Sequence, residues 1–224
     1  EARNRDAALD WAERGLKAFP KHTDWRLREF LAEEYHKSGR HDEAMALVWA
    51  EFSESSQLST YQKLKSHADK VGQWDTWRQK ALDKVRQDVA SSKSRPPVSL
   101  YRLFAPDSSI LVEILIWEKE IELAWQEAQQ GGCNDGLWMK LAHLREEDHP
   151  EDSLRIYQAA IEPTVEQKNN QAYGEAIRLL SRINKVMAKL GRSEEFESYL
   201  ASVRTTHKPK RNFTKMIDER QWSS

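Results

Sequence analysis

Three short stretches of this chain have the same design. "KSGRHDEA" from Lys37, "KVGQWDTW" from Lys70 and "KLGRSEEF" from Lys189 each read Lys-x-Gly-x-x-acid. Glycine enters the left-handed backbone conformation that commonly ends an α-helix. The lysine before it sits where a helix C-terminus favours positive charge. The acid after it (Asp42, Asp75, Glu194) falls where the next helix's N-terminus favours negative charge. Each stretch therefore predicts a tight joint between two helices. Only seven prolines and eight glycines interrupt 224 residues, so the helices between joints are expected to be long. Apolar spacing agrees: Leu27, Phe30, Leu31 and Tyr35 share one helical face, as do Ala44, Leu47, Val48 and Phe52. Alternating stretches are absent, and the chain reads as all-α.

Gly39 and Gly72 lie 33 residues apart, close to the roughly 34-residue tetratricopeptide period. Leu31, Ala32, Tyr35, Gly39 and Ala44 fall on positions that such repeats use for packing between helices. Tyr61, Leu64, Ala68 and Gly72 repeat the match, with Trp77 in place of the usual small residue. The fold expected is a tetratricopeptide-like α-α superhelix, a solenoid of about twelve helices. "AALDWAERGLKAFP" reads as the second helix of a repeat, stopped at Pro20, so the chain is expected to begin inside a longer array. "ASSKSRPPVS" cannot be mid-helix. It places a linker at 91–107 between an N-terminal array, 1–90, and a C-terminal array with a basic tail, 108–224.

Several longer strings resemble the C-terminal helical region of bacterial SWIM zinc-finger proteins. They are "DWRLREFLAEEYHKSGRHDEAMALVWAEF", "ILVEILIWEKEIELAWQEAQQGGC", "HPEDSLRIYQAAIEPTVEQKNNQAYGEAI" and "HKPKRNF". The resemblance covers nearly the whole chain. It implies a helical, tetratricopeptide-like region belonging to a larger protein whose zinc finger binds DNA or protein. With Cys133 as its one cysteine, this chain lacks the finger, and neither its zinc ligands nor its DNA-binding role carries over.

Composition narrows the function classes. Thirty-five Lys and Arg oppose 36 Asp and Glu, so electrostatic binding must come from local patches. The longest apolar run, near Ile110 to Trp117, is far short of the roughly 20 residues that span a bilayer. One cysteine allows no intrachain disulfide, which fits a cytoplasmic setting.

His36 and His41 are separated by a glycine turn and belong to different helices, so they are expected to be surface histidines rather than metal ligands. His143 and His149 are in the same position. Cys133, after Gly131 and Gly132, could near a helix N-terminus as a lowered-pKa thiol, but no local nucleophile pattern accompanies it. No phosphate loop or Gly-x-Ser-x-Gly occurs. No catalytic residue, metal or cofactor is expected. Trp11, Trp25, Trp49, Trp74, Trp77, Trp117, Trp125 and Trp138 are expected mostly as wedges between helices, with Trp138 facing a groove.

The strongest functional signal is basic. Arg178, Arg182, Lys185 and Lys189 fall at i, i+4, i+7 and i+11 and form one stripe. Ile177, Leu180, Ile183 and Met187 form the apolar stripe of the same helix. "RTTHKPKRNFTK", residues 204–215, adds five cations, among them Lys208, Lys210, Arg211 and Lys215, and no acid. The expected function is a non-catalytic scaffold that binds a protein or peptide segment, of acidic character, in a concave groove. The alternative is a nucleic-acid-binding accessory domain that uses this C-terminal basic surface, and the full-length protein is a further route to nucleic acid. An enzyme with a composite site is the third reading.

Overall fold

The computed structural model describes residues 2–19, 23–92 and 108–222, and throughout them the regular structure is helical. Twelve helices follow one another: α1 (Ala2–Ala18), α2 (Trp25–Lys37), α3 (His41–Glu54), α4 (Leu58–Lys70), α5 (Trp74–Ser92), α6 (Ser109–Trp117), α7 (Ile121–Gly131), α8 (Asp135–Arg145), α9 (Pro150–Val165), α10 (Asn170–Lys189), α11 (Ser193–Thr206) and α12 (Arg211–Glu219). Helix α5 continues through the first two residues of the expected linker. The rest of that linker and the helix stop expected at Pro20 lie outside the described residues. Among those residues, no helix is long and apolar enough to cross a membrane.

The three joints form as the sequence predicts, with one hydrogen-bond pattern. Gly39, Gly72 and Gly191 have φ of 77°, 65° and 72°. Each glycine N–H reaches back three residues. The next N–H reaches back five: Arg40 to Tyr35 (2.8 Å), Gln73 to Ala68 (3.1 Å) and Arg192 to Met187 (2.8 Å). These bonds satisfy carbonyls that a helix end leaves open. Asp42 and Glu43, Asp75, and Glu194 and Glu195 occupy the first turns that follow. Lys119 and Lys168 adopt the same left-handed conformation without glycine, with φ of 66° and 55°.

The chain forms two compact units. The first is Glu1–Lys119 with Glu127–Gly132, and the second is Glu120–Gln126 with Cys133–Ser224. Helix α6, which the sequence reading assigned to the C-terminal array, packs against α4 and α5 in the first unit. The residues picked out by the repeat register, Leu31, Ala32, Tyr35, Ala44, Tyr61, Leu64 and Ala68, are all buried there. In the second unit α10 packs against α9, α11 and α12, and Ile177, Leu180, Ile183 and Met187 are buried as expected.

The tryptophans depart from expectation. Trp125 is buried, but Trp11 is 70% and Trp25 56% exposed. Each instead has an arginine one turn or one residue on: Arg14 lies 5.5 Å from the Trp11 ring centre and Arg26 5.4 Å from that of Trp25. Trp49 and Trp77 are half-buried and meet at 5.7 Å, with Lys80 over both rings.

One polar arrangement occurs three times: a glutamate accepts a tyrosine hydroxyl and pairs with an arginine. Tyr35 donates to Glu13 (3.0 Å), which also takes Arg40 (2.8 Å). Tyr61 donates to Glu118 (2.7 Å), which is held on both oxygens by Arg78. Tyr157 donates to Glu146 (2.8 Å), which also takes Arg182 (3.3 Å). Burial first, and the adjoining carboxylate second, push each tyrosine hydroxyl above its ordinary range, which keeps it a donor.

A Cβ at Gly39 would meet nothing within 4 Å, so the cost of substitution there is backbone strain alone. Gly39→Val is expected to lower unfolding free energy by about 1–2 kcal/mol. Gly39→Asn should cost less, because Asn tolerates the left-handed region. Urea denaturation of the two variants and the parent tests this order.

Candidate partner-binding site

The basic stripe is built on α10. Asn169 caps it by accepting a hydrogen bond from the Ala172 N–H (2.8 Å). The buried apolar side then fixes the helix's rotation, which fixes the direction of the cations. Two of the four are already committed. Arg182 is the arginine of the third tyrosine–glutamate–arginine cluster, and its guanidinium also lies 3.0 Å from His143 Nδ1. Lys189 pairs with the Glu147 carboxylate. Arg178 and Lys185 are exposed and make no ion pair among the described residues. The stripe thus splits into two cations that pair with the glutamates following α8 and two that face solvent. Trp138 is half-buried and meets the Trp125 ring edge-on at 5.5 Å.

The basic tail runs from the end of α11 through a turn at 207–210 into α12, whose Phe213 and Ile217 are buried in the core that α10 shares. This brings the start of α12 beside the start of α10 on a cavity of about 530 Å³. Lys168, Lys210, Arg211, Asn170, Asn212 and Glu166 line it. Helix α10 begins at Asn170 and α12 at Arg211, and neither carries an acid in its first turn. Helices α3, α9 and α11 each carry two. Two helix N-termini, with their partial positive charge, therefore border one cavity.

Three cations line it against one carboxylate. Glu166 pairs with Lys210 and lies 3.7 Å from Lys168. The Lys210 ammonium, first among several neighbours, holds the Glu166 carboxyl below its ordinary range. Arg211 is exposed. Lys208 is also exposed, and Lys215 lies 3.6 Å from Glu219, one turn along α12. A carboxylate or phosphate is the ligand chemistry that such a cavity suits. The sequence reading found Lys210 and Arg211 but missed Lys168. Lys168 sits at the α9–α10 joint, which turns through left-handed backbone without glycine, as the α6–α7 joint does at Lys119.

Metal-type donors gather in the first unit. The sequence reading held His36 and His41 apart, but the bend at Gly39 brings their Nδ1 atoms to 3.0 Å. His36 Nε2 lies 3.1 Å from Nδ1 of His67, a buried residue of α4. His67 Nε2 lies 3.3 Å from Glu29 and 3.9 Å from Glu33. Burial first, then the charges of His67, Lys70 and His41, push His36 below its ordinary range. Glu29, Glu33 and His67 bring their ligand atoms within 4.8 Å of one another, as do Glu162, Glu166 and His207 in the second unit. Lysines already sit on these carboxylates: Lys63 on Glu29, Lys70 on Glu33, and Lys210 on Glu166.

Cys133 is buried, and burial, with Asp135 second, pushes its thiol up to about 12. That is the opposite of an activated nucleophile.

No family model matches the chain, and no curated protein matches it.

The unequal state of the four α10 cations has a measurable consequence. Arg182→Met removes the partner of half-buried Glu146 and is expected to cost about 1 kcal/mol, a value reduced by solvent screening. Arg178→Met should stay within about 0.5 kcal/mol of the parent. Thermal unfolding of both variants checks the contrast, and equal effects would remove it.

Proposed function

We propose that this chain is a non-catalytic interaction module, a tetratricopeptide-like stack of helical hairpins that holds an acidic segment of a protein partner. The strings quoted above, which resemble the helical region of SWIM zinc-finger proteins, lead us to place it within such a larger protein. The observation that carries the reading is the cavity where α10 and α12 begin. Two helix starts without acidic residues border it, together with Lys168, Lys210 and Arg211. Three cations against one carboxylate leave a net positive potential, which favours an anionic ligand and speeds its encounter. Lys208, exposed beside it in sequence, and Arg178 and Lys185, exposed on α10, add charge of the same sign.

Lys168 strengthens the reading. A lysine at φ 55° occupies backbone that glycine fits at lower cost. Glycine there would ease the joint but remove a cation from the cavity, a trade of stability against binding.

The test is fluorescence anisotropy with a labelled Glu- and Asp-rich peptide, and separately with a labelled single-stranded oligonucleotide, each at several salt concentrations. The peptide should bind, and Arg211→Glu with Lys168→Glu should weaken it about tenfold or more. Lys168→Gly should also weaken binding, while its stability stays at or above the parent's by up to about 1 kcal/mol. Equal binding by parent and reversed variant would contradict the reading. Tighter binding of the oligonucleotide, falling steeply with salt, would give the site to nucleic acid instead.

A further inference from the structure

The histidine file of the first unit has a direction. Glu29 carries Lys63 within 3.2 Å, and Glu33 carries Lys70. Both are therefore carboxylates, which only accept hydrogen bonds. The nearer, Glu29, requires His67 to present Nε2–H to it. In a neutral imidazole that leaves His67 Nδ1 as an acceptor. His36 must then present Nε2–H to His67, 3.1 Å away, which leaves the lone pair of His36 on Nδ1. That atom faces His41 Nδ1 at 3.0 Å. A carboxylate-to-histidine chain through buried His67 thus fixes one tautomer and delivers a nitrogen lone pair beside a second, exposed imidazole.

We propose that His36 and His41 form a two-imidazole chelate for a divalent cation that favours nitrogen donors, Cu2+ or Ni2+, supported from behind by His67 and Glu29. Metal-bound histidines are regularly held by a hydrogen bond from the other ring nitrogen to a carboxylate or similar acceptor. Here that support passes through one further histidine. The spacing selects the metal geometry. Metal–nitrogen bonds of about 2.0–2.1 Å spanning this pair enclose roughly 90–100°, whereas a tetrahedral site would need about 3.3 Å between the nitrogens. An angle near 90° is the adjacent-ligand angle of tetragonal Cu2+ and Ni2+ sites.

Water completes the coordination from the exposed His41 side. On binding, the proton on His41 Nδ1 moves through solvent to its Nε2, so two neutral imidazoles take up the cation without net proton release. Arg40, next to His41, is turned away to Glu13 and Glu43. The two three-residue groups of histidine and glutamate are poorer sites, because a cation there would have to displace lysines from the carboxylates.

The experiment uses the 224-residue chain in mildly alkaline buffer. Calorimetric titrations with Ni2+ and Cu2+, and the electron paramagnetic resonance spectrum of the Cu2+ form, are compared across variants. The expected result is one Cu2+ per chain, with splitting from two imidazole nitrogens. His41→Ala should weaken binding at least tenfold. Glu29→Leu, which leaves no acceptor for the His67 Nε2–H, should weaken it about tenfold through loss of tautomer control. His149→Ala, an exposed histidine in the second unit, should leave it unchanged. Unaltered affinity in His41→Ala, or binding lost in His149→Ala instead, would overturn the site. Parent-like affinity in Glu29→Leu beside an impaired His41→Ala would overturn the support from behind.

Discussion

A glutamate held between a tyrosine hydroxyl and an arginine joins helices in this protein three times. Glu118 is the most enclosed of the three. It follows α6, takes Tyr61 from α4 and Arg78 from α5, and its side chain is only 9% exposed. A buried carboxylate is costly unless its oxygens are filled with donors. Here both oxygens are filled, and Tyr61 is itself fully buried. Burial of the aromatic body supplies the apolar gain, and the hydroxyl and guanidinium fix which helices meet. The same arrangement around Glu146 ties α9 and α10 to the turn after α8. It adds to the buried apolar side that sets the rotation of α10, on which the exposed cations Arg178 and Lys185 depend.

This cluster also explains why the basic stripe is not one surface. Spacing along a helix shows that four cations share a side, but it cannot show which of them meet a glutamate from another helix. Arg182 is separated from Glu146 by 36 residues, and Lys189 from Glu147 by 42. Once those two are paired, the free positive potential in the second unit lies on Arg178, Lys185 and the cavity where α10 and α12 begin. The binding reading moves accordingly, from the stripe towards the helix starts.

Local features were legible in the sequence and distant ones were not. Gly39, Gly72 and Gly191 announced their joints because the left-handed backbone requirement acts on the residue itself. The buried faces of α4 and α10 were legible because helical periodicity is local, while on α2 Leu31 and Tyr35 are buried but Phe30, expected on the same face, is exposed. The placement of α6 was not, since an apolar run of that length does not say which neighbours cover it. Trp11 and Trp25 read as core because large aromatics usually are, whereas here they are exposed beside arginines. His36 and His41 read as separate because the turn between them was treated as a spacer. It is in fact the bend that joins them, and the third ring, His67, comes from a helix 31 residues away. Lys168 carries no signal of its own in the sequence, because its joint, like that at Lys119, lacks the glycine of the three Lys-x-Gly joints.

The central claim is that the tyrosine–glutamate–arginine clusters hold the helices in place, and it is tested most directly at the most buried one. A double-mutant cycle combines Tyr61→Phe with Glu118→Met, which leaves no acceptor, and reads unfolding free energy by urea denaturation. Coupling of about 1–3 kcal/mol between the two changes is predicted, as for groups sharing a buried polar network. Additive effects within about 0.3–0.5 kcal/mol would contradict the account and leave the fold to apolar packing alone.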